Sequence, residues 1–175
     1  MPSRYYFLSS LPMLRFSDSA PLTWEAFLSD AKGNVGESDY RLLCGIPEGL
    51  DGGNQFLKRW SDLNRKLDDA VNAQRRQNLG RPTEGGVVFR DFDIQRVADS
   101  AMNAKNPLEA ELTLMQFRYG YLEQAKGFEP FSENALLAYA LQLRILLRKD
   151  LFTADTGNEE YRKLFGILQK EMKME

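Results

Sequence analysis

From Leu136 to Leu147 the chain reads Leu-Leu-Ala-Tyr-Ala-Leu-Gln-Leu-Arg-Ile-Leu-Leu, apolar on nearly every side of a helix. A helix with no polar face has to be surrounded by other elements. The run falls well short of the ~20 apolar residues that a bilayer crossing needs. It therefore predicts the central, most buried helix of a bundle, over about 132–149, opened by Phe131-Ser132-Glu133.

The preceding segment supplies its first neighbour. Asn106 is a good helix cap, Pro107 suits the first turn, and Glu109 stands where a capping box closes. Leu108, Leu112, Met115, Tyr119 and Leu122 then recur at helical spacing, predicting a helix over about 107–126 with one apolar stripe. The remaining patterns are also helical. Thr23 precedes a short segment, Trp24 to Lys32, with Trp24, Phe27 and Leu28 inward and Gly33 ending it. Ser38 is the expected cap of another, running to Cys44 and stopped by Gly45-Ile46-Pro47.

A long helix spans about Asn54 to Leu79, with Phe56, Trp60, Leu63, Leu67, Ala70 and Val71 on one face. Its last two turns are polar all round, which fits projection into solvent or contact with a partner. Residues 80–90 form the internal loop, with a brief extended stretch at Val87-Val88-Phe89. Ile94, Val97, Ala98, Ala101 and Met102 mark the helix that follows, starting at Asp91 or Asp93. A last helix is expected over 158–173 after the turn at Asp155-Thr156-Gly157-Asn158, with Tyr161, Leu164, Phe165, Leu168 and Met172 on one face. The opening Tyr5-Tyr6-Phe7-Leu8 reads as a short extended segment or a helical turn ended by Pro12, packed on the bundle. The sum is an all-α, antiparallel bundle of about seven helices, a single domain over residues 1–175.

Several chemistries are excluded. There is no histidine, which removes Ser-His-Asp and Cys-His catalysis and most zinc sites. The net charge of −2 argues against a general nucleic-acid binder. The lone Cys44 precludes an intramolecular disulfide, and its apolar flanks suggest a small core residue. The glycine pairs Gly52-Gly53 and Gly85-Gly86 lack the spacing of a phosphate cradle and read as turns. Asp62 and Asp69, like Glu109 and Glu111, are not spaced to share a metal. No cofactor or metal site is expected, and the sequence points away from an enzyme. The N-terminus does not read as a signal peptide, so a cytoplasmic protein is expected.

What remains is contact chemistry. Arg75 and Arg76 lie where the long helix loses its apolar stripe. Arg144, Arg148 and Lys149 end the central helix, where cations also favour the helix C-terminus. These five are the candidate partner-binding residues. Trp24 and Trp60 sit on apolar faces and read as core; Tyr139 reads as a structural hydrogen-bonder.

Three segments together carry a family resemblance: Tyr5-Tyr6-Phe7-Leu8-Ser9-Ser10-Leu11-Pro12, Asn106-Pro107-Leu108-Glu109-Ala110-Glu111, and Leu136 to Leu143 with Asp155-Thr156-Gly157. In order and spacing the set resembles a domain-of-unknown-function family of bacterial proteins encoded beside V-type ATP synthase subunits. The Leu-Leu-Ala-Tyr helix also resembles the last helices of the socket protein of rotary ATPases, the all-helical part that seats the central shaft on the membrane ring. Ala138-Tyr139 and then Arg144 match that family's apolar helix with an Ala-Tyr pair. Its Lys/Glu pattern and downstream Asn-Leu-Arg are replaced here by Gln142, Arg144 and Leu146-Leu147-Arg148. The resemblance implies a non-catalytic, socket-like part or accessory factor joining the central rotor stalk to the proteolipid ring. It further implies V-type ATP synthase subunits as partners, and a place at the inner membrane held only through them. The composition alone leaves open an independent helical adaptor that binds a partner helix or small ligand.

Overall fold

The computed structural model describes residues 4–80 and 92–152. Among them are seven α-helices and no strand: α1 (Arg4–Ser10), α2 (Trp24–Ala31), α3 (Glu37–Gly45), α4 (Gln55–Asn78), α5 (Phe92–Met102), α6 (Pro107–Ala125) and α7 (Glu133–Asp150), with a 3-10 turn at Ile46–Glu48. The class is all-α, and α4 to α7 lie side by side in an antiparallel bundle. The opening segment takes the helical of its two readings. The expected helix over 158–173 and the stretch at 87–89 lie outside the described residues.

Local chemistry sets most helix starts. The side chains of Thr23, Asn54, Asn106 and Ser132 each accept a backbone N–H in the first turn of α2, α4, α6 and α7. Glu109 reaches back as a capping box does, but to the N–H of Lys105, 3.1 Å away and one residue before the cap. At α3 the expectation fails. Gly36, not Ser38, is the cap, and it makes no side-chain hydrogen bond. Glu37 and Asp39 instead place negative charge in the first turn, where the helix dipole favours it. Gly33 follows α2 at φ 86°, a left-handed conformation that ends the helix cheaply only as glycine.

Among the described residues two apolar clusters form the interior. The first surrounds α7 and includes Phe7, Phe27, Leu43, Phe56, Met115 and Leu122 against Leu136, Leu137 and Leu143. The second joins Leu63, Leu67, Ala70 and Val71 of α4 to Ile94, Ala98 and Ala101 of α5 and Leu114 of α6. Helix α6 serves both. Met115, Tyr119 and Leu122 face the first cluster, while Ala110, Leu114, Phe117 and Tyr121 face the second. The single stripe read from sequence is thus one of two, and its first member, Leu108, is 41% exposed. Leu108 sits in the first turn of α6, short of both clusters.

Helix α7 is the central element, as its composition demands. Its one buried polar side chain, Gln142, donates to Glu123 at 2.8 Å. Burial opposes ionisation of Glu123, but hydrogen bonds from Lys126 and Gln142 outweigh it and hold the carboxyl below its ordinary value. A further side of α7 is covered by the strap between α1 and α2. Tyr139 Oη donates to the carbonyl of Pro12 at 2.9 Å. Lys149 Nζ donates to the carbonyls of Phe16 and Asp18 at 2.6 and 2.7 Å, and Asp150 accepts the N–H of Ala20 at 2.7 Å. Polar side chains of α7 thereby satisfy backbone groups that a helix or sheet would otherwise satisfy. Another long-range tie is Arg4, whose Nε and Nη2 donate to the buried Asp39 at 2.9 and 2.7 Å.

Two further expectations are corrected. Of the opening aromatics only Phe7 is buried, against Phe27; Tyr5 rests on Phe131 and Tyr6 is 74% exposed. One turn of an edge helix offers one inward position, so adjacent tyrosines face out. Cys44 is exposed, because Leu43 beside it takes the inward position of α3. A hydrogen bond with Cys44, followed by desolvation and nearby negative charge, raises the pKa of the Tyr40 hydroxyl.

Replacing Leu143, which is fully buried, by alanine should cost about 2–5 kcal/mol in urea unfolding. The exposed Leu79→Ala should stay within about 0.5 kcal/mol. Burial pushes the hydroxyls of Tyr119 and Tyr139 up to about 12, with the neighbouring Glu123 adding to the rise at Tyr119. A raised value means the fold favours the neutral phenol. Stability should therefore hold below the unfolded value of about 10 and fall as pH rises from there through about 12. Unfolding curves across that range should show the loss, and Tyr139→Phe should make it shallower.

Candidate functional site

Helix α4 gives Phe56 and Leu57 of its first turn to the cluster around α7, and Leu63, Leu67, Ala70 and Val71 to the cluster with α5. A groove of about 640 Å³ opens between α4, α6 and α7. The groove sits on the seam of the two clusters. Its floor takes Val71 and Leu114 from one, Met115 and Ile145 from the other, and Trp60, which packs on both.

Its walls carry charge. Arg118 of α6 donates from Nε to Asn64 at 2.8 Å and from Nη2 to Asp68 at 3.0 Å, with its side chain only 17% exposed. Arg148 of α7 pairs with Glu111 of α6 at 3.0 Å and lies 5.8 Å from the Phe152 ring centroid. Arg75 of α4 also lines the groove and makes no ion pair among the described residues. Three guanidiniums from three helices thus meet two carboxylates. A guanidinium offers five N–H donors, so Arg118 and Arg148 keep donors to spare.

The five residues singled out in sequence fall in three places. Arg75 and Arg148 line this groove. Arg76, next to Arg75 in the last turn of α4, is exposed and does not line it. Arg144 and Lys149 turn toward the N-terminal part of the chain. Arg144 lies 5.5 Å from the Trp24 ring centroid; its Nη1 is buried without an acceptor among the described residues, and burial lowers its pKa. Lys149 is held by the strap carbonyls and sits over Phe16. The cationic end of α7 is therefore divided between structural ties and the groove. Sequence reasoning misses Arg118. Its signal is present: it lies seven residues after Glu111 and four after Leu114, on the second stripe of α6.

Among the described residues no group of three or more acidic or cysteine side chains is placed to hold a metal ion. Nor is any described helix long and apolar enough to cross a membrane. No family model matches the chain, and no curated protein or solved structure matches it.

In each of the groove's ion pairs one partner is mostly open to water, Asp68 at 63% and Arg148 at 65%, and the solvent screens the pair. Asp68→Asn and Glu111→Gln should each change unfolding stability by less than about 1 kcal/mol in urea titrations. A larger loss would assign the pairs a structural role.

Proposed function

We propose that this chain is a non-catalytic subunit or accessory factor of a V-type ATP synthase, docking or coupling the central rotor stalk to the membrane ring. The proposal rests on the resemblance of its three sequence segments. One observation supports reading them as a unit. The hydroxyl of Tyr139, in the Leu-Leu-Ala-Tyr helix, bonds to the carbonyl of Pro12, which ends the N-terminal segment, 127 residues away in sequence. The two segments meet at one joint of the fold.

The mechanics fit the proposal. Transmitting torque or holding a rotor needs a body that does not yield, and close-packed interiors transmit strain. Here ten residues of the central helix are buried and the strap is tied to it at Tyr139, Lys149 and Asp150. The arginine-lined groove and the polar end of α4 are the charged faces, among the described residues, that other subunits would meet.

A second reading, a free-standing helical adaptor, draws on the groove itself, since about 640 Å³ lies within the range of small-ligand sites. One experiment separates the two. Tagged V-type subunits, purified from cells with the gene cluster intact, should bring this chain with them in a fixed ratio. Its absence from an otherwise complete complex would contradict the proposal and leave the adaptor.

A further inference from the structure

The groove does not end at Trp60 and Asn64. Both residues also line a second hollow of about 200 Å³, bounded by Ile46, Leu50, Leu57 and Leu141, with Asp51 at its edge. The two hollows, which share these residues, follow one another along α4 from Leu57 to Arg75 as the halves of a trench. At 1.5 Å rise per residue that is roughly 27 Å. One end is apolar. The other carries Arg75, Arg118 and Arg148.

The charged end has a spacing. Arg118 is anchored beside Asn64 and Asp68, and Arg148 beside Glu111. Glu111 and Arg118 lie seven residues apart on α6, which places the two arginine stations about 10 Å apart, or two helical turns. Arg75 provides the cation without a paired carboxylate among the described residues.

We propose that this trench binds an acidic amphipathic helix from a partner protein. Carboxylates two turns apart on that helix meet Arg75 and the spare N–H groups of Arg118 and Arg148. Apolar side chains toward its other end fill the hollow at Ile46, Leu50 and Leu57. A helix of about 18 residues matches the trench length. The charge and the length decide the occupant together. A compact anion such as a nucleoside phosphate would engage the arginines but leave the apolar end unfilled. An apolar helix would leave Arg75 without a carboxylate partner among the described residues. Helices laid in grooves are recognised in this way, by apolar anchors at helical spacing with charge fixing the register.

The inference does not depend on the V-type assignment, and its test uses the purified full chain alone. The probe is a capped synthetic peptide of about 18 residues, leucines on one face toward one end and glutamates seven apart toward the other. Its twin carries glutamine for each glutamate. Isothermal titration should show binding of the acidic peptide, at least tenfold weaker binding of the twin, and weakening as salt rises. R75E should lower affinity for the acidic peptide at least tenfold, and R75Q by less. R96E, which alters the exposed Arg96–Asp93 pair on α5, should leave it unchanged. Circular dichroism checks that each variant keeps its helices; Arg75 is exposed, so they should. No binding of the acidic peptide, or equal binding to R75E, would overturn the proposal. So would binding of ATP that R75E abolishes while the peptide fails to bind.

Discussion

The structure depends on one burial problem, a helix with no polar face. Ten of the residues from Ala135 to Leu146 on α7 are buried, Leu136, Leu137, Leu143 and Leu146 completely. Burial of a single leucine is worth about 1.5–3 kcal/mol, so leaving any side of this helix open would cost several times what a surface contact returns. Helix α6, the first turns of α4, and the short helices α1 to α3 cover most of it. The strap after α1 covers a further side, and Leu141 and Ile145 border the two hollows. The strap makes no regular hydrogen-bond ladder, and α7 therefore commits three polar side chains, Tyr139, Lys149 and Asp150, to its backbone.

That arrangement explains where the charged residues go. Cations at the end of a helix are usually read as surface decoration or as a patch. Here Lys149 is committed to the strap and Arg144 to Trp24, which leaves Arg148 to the groove. The groove exists because α4 has two loyalties. Its first turn packs into the cluster around α7 and its later apolar residues into the cluster with α5. Trp60 touches both clusters.

The legible parts of the fold are those set by near neighbours. Helix caps at Thr23 and Asn106 act over three residues, and the apolar run of α7 declares its own burial. Long-range ties leave no such trace. Nothing near Tyr139 indicates that its hydroxyl finds Pro12, or that Arg4 finds Asp39. Helix α6 shows a subtler limit. Its strongest stripe, ending at Leu122, hides a second one through Leu114, Phe117 and Tyr121, because both sides of the helix are buried. Arg118 belongs to that second side, so the groove's most enclosed cation escapes a sequence reading that finds Arg75 and Arg148. Cys44 misleads for a simpler reason. Apolar neighbours in sequence are not neighbours on a helix face, and Leu43 takes the inward place.

The central claim joins a rigid helical body to a rotary machine through a charged trench. Electron cryo-microscopy of the V-type complex, purified from the organism that encodes this chain, tests it most directly. The account predicts density for the α1–α7 body at the junction of the central stalk and the ring, with an acidic helix of a neighbouring subunit lying along α4 between Leu57 and Arg75. A complete complex with no density for this chain, or one in which the trench faces solvent while another face makes the contact, would contradict it.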